Sequence, residues 1–190
     1  MKHSKSNLFY LILVSFFLAL TFLSSYISSF LKFPFLNGNP IEIYLIFFVF
    51  SMILINRFFY RLLYFLLAPI LLLLTPGLYF LNAAQVIVDY ILTFYCFFVF
   101  LFFNFSWGKL KIKEKEIKYT DILIFLLFFL ISIFLKWWIH LISGYYWWTN
   151  NDIYLSTILN SRYVFVSFAI ILPVTVAIYY PLKSLNKAVY

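Results

Sequence analysis

The chain has 190 residues, of which 66% are apolar, 25% aromatic and only 11% charged. A water-soluble domain carries about 25% charged residues, so too few are present here to coat a water-facing surface, and a soluble globular fold is excluded. At roughly 20 apolar residues per crossing, this length accommodates about six or seven membrane helices and no separate soluble domain.

Apolar runs divided by polar punctuation predict six spans in a single all-α integral membrane domain covering residues 1–190. The first, 8–30, follows a basic start and precedes the turn-rich stretch FPFLNGNP. A cleaved signal peptide is the alternative for this segment, but its apolar core is long against the usual roughly 7–15 residues. The second span, 41–55, stops at Asn56, Arg57 and Arg61. The third, 62–74, ends at Thr75-Pro76-Gly77, and the fourth covers 83–105. A basic loop, 106–120, containing GKLKIKEKEIKYT, separates it from the fifth span, 122–143. The stretch GYYWWTNND then leads to the sixth, 156–180.

The net charge of +8 is read through this plan rather than as a nucleic-acid footprint. Six crossings place both ends of the chain, the 57–61 turn and the 106–120 loop on one side. That side collects every Lys and Arg except Lys32, Lys136 and Arg162. Positive residues mark the cytoplasmic face, so both termini are expected in the cytoplasm. Lysine-, asparagine- and phenylalanine-rich composition points to a bacterial cell (plasma) membrane.

Several chemistries find no support. No Gly-rich phosphate loop is present, so the chain does not hydrolyse ATP by itself. Two histidines and one cysteine make no metal cluster, and neither HExxH nor GxSxG occurs. No cofactor and no enzymatic activity are expected. Cys96 lies in an apolar run and reads as a small hydrophobe.

Polar groups inside spans are costly and usually functional. Gln85 and Asp89 are four apart on span four, with Tyr90 beside them. Lys136, His140, Gly144 and Trp148 follow at four-residue steps along span five and its exit, which places them on one face if the helix continues that far. Both groups lie towards the outer side, among Tyr79, Tyr145, Tyr146, Trp147 and Tyr154. Two readings stand for these residues. One is a pocket for a small, flat, cationic ligand, since aromatic faces attract cations. The other is purely structural: an interfacial aromatic belt, Asp89 paired with Lys136, and His140 bonding between helices.

The stretch KWWIHLISGYYWW, 136–148, resembles the K-x-x-x-H-x-x-[AS]-G-x-x-x-W segment of the thiamine-specific substrate-binding components (S-components) of energy-coupling factor (ECF) transporters. Tyr79 followed by Gln85-x-x-x-Asp89-Tyr90 is similar to that family's Tyr…Gln-x-x-x-Glu-Tyr, and YLSTILNS, 154–161, to its Tyr-Ser-Leu-x-x-Asn-Gly. The resemblance implies an S-component-like fold of six transmembrane helices, and a vitamin-uptake subunit that captures thiamine or a close analogue from outside. Its partners would be an ECF transmembrane coupling subunit and two ATPase subunits, with membrane lipid around it and no nucleic acid.

Carried over, the pattern makes Asp89 the carboxylate for the aminopyrimidine end, with Tyr79, Tyr90 and His140 completing the polar contacts. Trp148 would stack on a ring, Gly144 would leave room for it, and Asn160 fits the family's asparagine. Lys136 would be a nearby charge able to pair with Asp89 in the empty site. The connectors 75–82 and 144–155 would be flexible covers. Ser15 and Ala19 stand where the family has a small-residue pair that docks on the coupling subunit. This chain departs in having Asp for Glu at 89, Leu155 at the family's tyrosine position with Tyr154 one step off, and Ser161-Arg162 after Asn160.

Overall fold

The computed structural model describes residues 7–31, 41–76, 78, 80–102 and 114–189, the side chains of 114–121, 180 and 182–189 excepted. All regular structure among them is helical. We number the helices α1 (Asn7–Phe30), α2 (Tyr44–Leu54), α3 (Phe58–Leu72), α4 (Ala83–Phe102), α5 (Glu114–Ser143, carried on through Gly144–Trp148) and α6 (Ile153–Val189).

Four segments, Asn7–Phe30, Ala83–Phe102, Ile122–Trp148 and Ile153–Tyr179, are long and apolar enough to cross a membrane. This is a multi-pass, all-α membrane protein. α2 and α3 have 11 and 15 residues, which at the helical rise reach about 16 and 22 Å, short of a hydrocarbon core of about 30 Å. The outward faces agree with a lipid surround. On α1 alone Leu8, Ile12, Phe16, Leu23 and Phe30 are more than half exposed, an apolar surface that water would penalise.

The helices pack in a ring in the order α1, α2, α6, α5, α4, α3 and back to α1. Phe48 on α2 fills its middle. It is fully buried and meets Tyr64, Phe65, Phe94, Phe97 and Phe100 at ring separations of 5.2–6.2 Å. A hydroxyl pair, Thr21 Oγ1 to Tyr64 Oη at 2.6 Å, crosses from α1 to α3. Cys96 is buried and unpaired in a disulfide, as its apolar setting implied.

Three boundaries differ from the sequence expectation. α3 starts at Phe58, so Arg61 is a buried helical residue and not part of a loop. Its Nε donates to Ile55 O at the end of α2 and its Nη1 to Leu101 O at the end of α4. Both carbonyls belong to helix C-termini, whose unsatisfied oxygens carry partial negative charge. A cation there satisfies two helices at once, which outweighs the pull of its charge towards water. Second, part of the basic 106–120 loop is helix, because α5 begins at Glu114; residues 103–113 lie outside the described set. Third, 144–155 is no loose cover. Gly144–Trp148 prolongs α5, a tight turn follows, and α6 starts at Ile153. Asn150 and Asn151 take φ of 50° and 64° in that turn, a left-handed conformation that asparagine accepts better than most residues. Asp152 caps α6 by accepting from Leu155 N at 2.9 Å.

Arg61→Met keeps the side-chain length but strands both carbonyls. A loss of about 1–3 kcal/mol is expected per buried group left unpaired, read as a lowered unfolding midpoint in detergent.

Candidate functional site

α2, α4 and α6 begin, and α5 ends, at the same end of the ring, and the polar side chains of the interior gather there. Asn82 caps α4 by accepting from Gln85 N at 2.8 Å. The Gln85 side chain is then fixed at both ends. Its Oε1 accepts from Leu81 N at 3.3 Å, and its Nε2 donates to Asp89 Oδ2 at 2.6 Å.

Asp89 sits in a π-helical turn, Ile87–Leu92. Such turns are rare and frequent at functional sites, because the wider winding re-aims a side chain and loosens the backbone ladder. The Thr93 hydroxyl donates to the Asp89 carbonyl. The facing wall has the same device: Gly144–Trp148 is a second π turn. Its indole reaches across, Trp148 Nε1 donating to Asp89 Oδ2 at 3.1 Å. His140 Nδ1 lies 3.5 Å from the other oxygen, Oδ1. Asp89 is only 8% exposed. Its side-chain neighbours include an amide, an indole, an imidazole and the Ser143 hydroxyl.

The four-residue series on α5 does share one wall, as its spacing required. The π turn contributes to this, since winding more residues per turn takes back part of the drift that successive α-helical steps accumulate. Lys136, however, does not pair with Asp89. It is 1% exposed and forms an ion pair of 2.5 Å with Glu42. The same Glu42 oxygen accepts from Tyr44 Oη at 2.7 Å and from Tyr163 Oη at 2.8 Å. This cluster of Glu42, Tyr44, Lys136 and Tyr163 escaped the sequence reading. Its signal was there: the span predicted from 41 to 55 carries an acidic residue at its start, the same kind of anomaly that singled out Asp89.

The two clusters touch. The ring edge of His140 meets Tyr163 at 5.4 Å between centroids. Tyr90 is half-buried, packs edge-on against Phe80 at 5.8 Å and lies within electrostatic reach of Tyr163.

Other expected residues stand elsewhere. The room at Gly144 is used by α6: a Cβ there would fall 2.4 Å from both Asn160 Nδ2 and Ser156 Oγ. Asn160 donates to Ser156 O at 2.8 Å, so it belongs to this helix contact. Ser156 Oγ donates to Leu141 O at 2.8 Å, and Trp137 Nε1 to Ser161 Oγ at 3.0 Å, which sets the register of α5 on α6. Tyr154 is 74% exposed on the first turn of α6 and does not join the cluster. Ser15 and Ala19 lie exposed on the outer face of α1. Tyr79 is outside the described residues. An apolar groove on the outer side of α5 and α6, lined by residues such as Phe134 and Phe165, lies apart from all of these.

No family model, curated protein or solved structure matches this chain.

Gly144→Ala pushes α6 off α5. The expected cost is about 1–3 kcal/mol of overpacking, measured by thermal unfolding in detergent, and loss of the Trp148–Asp89 contact should change tryptophan emission in the same sample.

Proposed function

We propose that the chain is the substrate-binding subunit of a vitamin-uptake transporter, taking thiamine or a close cationic analogue at Asp89. The observation that carries this reading is the charge balance of the interior. Lys136 is committed to Glu42, so buried Asp89 has no permanent cation among its described neighbours. An unbalanced carboxylate in a membrane interior is expensive, and a bound cation compensates it. An aminopyrimidine donor fits Asp89, and a thiazolium ring fits the indole and tyrosine faces around it.

In this reading the protein has six transmembrane helices with both termini in the cytoplasm of a bacterium, and the Asp89 end faces outward. α2 and α3 are then completed by lipid thinning or by neighbouring polar ends. The chain carries no phosphate loop, so energy comes from an ATP-driven partner module, and the exposed Ser15–Ala19 face of α1 offers that module a close approach. An S-component for a different vitamin keeps the same architecture. A second reading, in which Asp89 only fastens helices, is favoured by the complete set of internal contacts it makes to Gln85, Trp148 and His140.

Titration of the purified protein with thiamine, followed by tryptophan fluorescence, separates the two. Saturable quenching that weakens at least about a hundredfold in Asp89→Asn, equal to about 2.7 kcal/mol, with an unchanged unfolding midpoint supports the ligand reading. No response from the wild type, together with a lowered midpoint in Asp89→Asn, makes the residue a helix fastener.

A further inference from the structure

Between α5 and α6, on the face turned to lipid, lies a groove of about 430 Å³ whose lining residues are all Leu, Ile or Phe. Phe134 and Phe165, one from each helix, are exposed along it. A gap there would forfeit the dispersion contacts of its lining, so in a bilayer the groove is filled by hydrocarbon.

One end of the groove is marked by groups of a different kind. Trp137 packs against Phe134 at 5.7 Å and Phe165 at 6.1 Å between ring centroids, and its Nε1 donates to Ser161 Oγ at 3.0 Å. That bond brings Trp137 and the exposed Trp138 level with Ser161 and Arg162. Tryptophans gather where lipid headgroups begin. α6 gives the same depth independently. Residues 163–180 hold no charged side chain, a run of about 27 Å at the helical rise against a hydrocarbon core of about 30 Å. Arg162 therefore stands at the hydrocarbon boundary on the Asp89 side of the molecule, one turn of α6 beyond Phe165.

Arg162 is exposed, and among the described residues it makes neither a hydrogen bond nor an ion pair. The acidic residues are committed elsewhere. Glu42 holds Lys136, Asp89 meets His140, Asp152 caps α6, and Glu114, Glu116 and Asp121 lie at the other end of α5. A guanidinium matches phosphate oxygens two at a time, and here it stands at the mouth of an apolar groove.

We propose that this seam binds one anionic glycerophospholipid of the leaflet at the Asp89 end, with an acyl chain between Phe134 and Phe165 and the phosphate on Arg162. The preference for a net negative headgroup follows from the missing counter-charge. The amine of a zwitterionic headgroup already offsets its own phosphate, which then attracts the guanidinium less. A lipid so held clamps α5 to α6 from outside. The proposal requires neither thiamine nor a ligand at Asp89, so it stands or falls apart from the reading above.

To test it, the full chain is reconstituted in vesicles of equal parts phosphatidylglycerol and phosphatidylcholine, extracted in mild detergent and read by native mass spectrometry. One phospholipid should stay on the wild type, phosphatidylglycerol over phosphatidylcholine at least about tenfold. Arg162→Gln should bring that ratio to within about twofold. Lys183→Gln, which removes a charge at the other end of α6, should leave it unchanged. Ile131→Trp, which fills the groove, should release both lipids. Retention without headgroup preference, or a preference that survives Arg162→Gln, overturns the proposal. So does phosphatidylglycerol that stays on Ile131→Trp, or that inorganic phosphate displaces from the wild type. A mass of two chains without lipid makes the groove an interface between copies and overturns it too. Should Arg162→Gln fail to fold, Arg162→Met keeps the apolar stem and must lower the ratio in its place.

Discussion

The ion pair between Lys136 and Glu42 is the constraint on which the polar end of the molecule depends. Neither charge is tolerable alone inside a membrane protein, and removal of one partner of a buried pair costs about 3–5 kcal/mol. The pair joins the segment just before α2 to α5, and Tyr163 adds α6 to the same oxygen. α2 is thereby held at one depth with α5 and α6, which lie far along the chain from it. The pair also decides the electrostatics next door, since a lysine spent on Glu42 cannot neutralise Asp89.

Around this fixed point the two π turns supply the fine placement. One aims Asp89 inward from α4, and the other bends the end of α5 so that Trp148 reaches across to it. A regular helix on either side would carry these side chains to a different angle. The close seating of α6 at Gly144 makes the second turn rigid from behind, with Ser156 and Asn160 filling the space that a side chain would need. The wall bearing Trp148 is thus braced, while the indole itself stays 44% exposed and able to adjust.

The opposite end of the ring is built differently. There the interior is aromatic, with Phe100, Phe125, Phe129 and Tyr179 at 5.0–6.0 Å from their ring neighbours. The polar groups at that end serve helix termini: Arg61 binds two C-terminal carbonyls, and Arg57 binds Asn7 at 2.9 Å while lying over the Tyr10 ring. Buried ionisable side chains are paired with one another at one end, whereas at the other the buried Arg61 closes backbone ends. This division lets a site exist at one end without loosening the packing that supports it.

Composition and hydropathy determined that this is a helical membrane protein, because the hydrophobic demand of a bilayer leaves a long, unambiguous run in the chain. Span one and the start of span four were legible to within a residue for that reason, and the one-face arrangement of Lys136, His140 and Gly144 followed from helical geometry alone. The partner of Lys136 was not legible. Choosing between Asp89 and Glu42 depends on which helices are neighbours in the ring, and a residue 94 positions away along the chain leaves no local pattern. Arg61 was read as a loop charge because charge predicts exposure, and only two converging helix ends could reverse that. Gly144 showed in the sequence as a place of close approach, but what approaches it, α6, was decided by packing. Local physics wrote the helices into the sequence; the pairings between them depend on three-dimensional neighbours, and only the tertiary structure decided those.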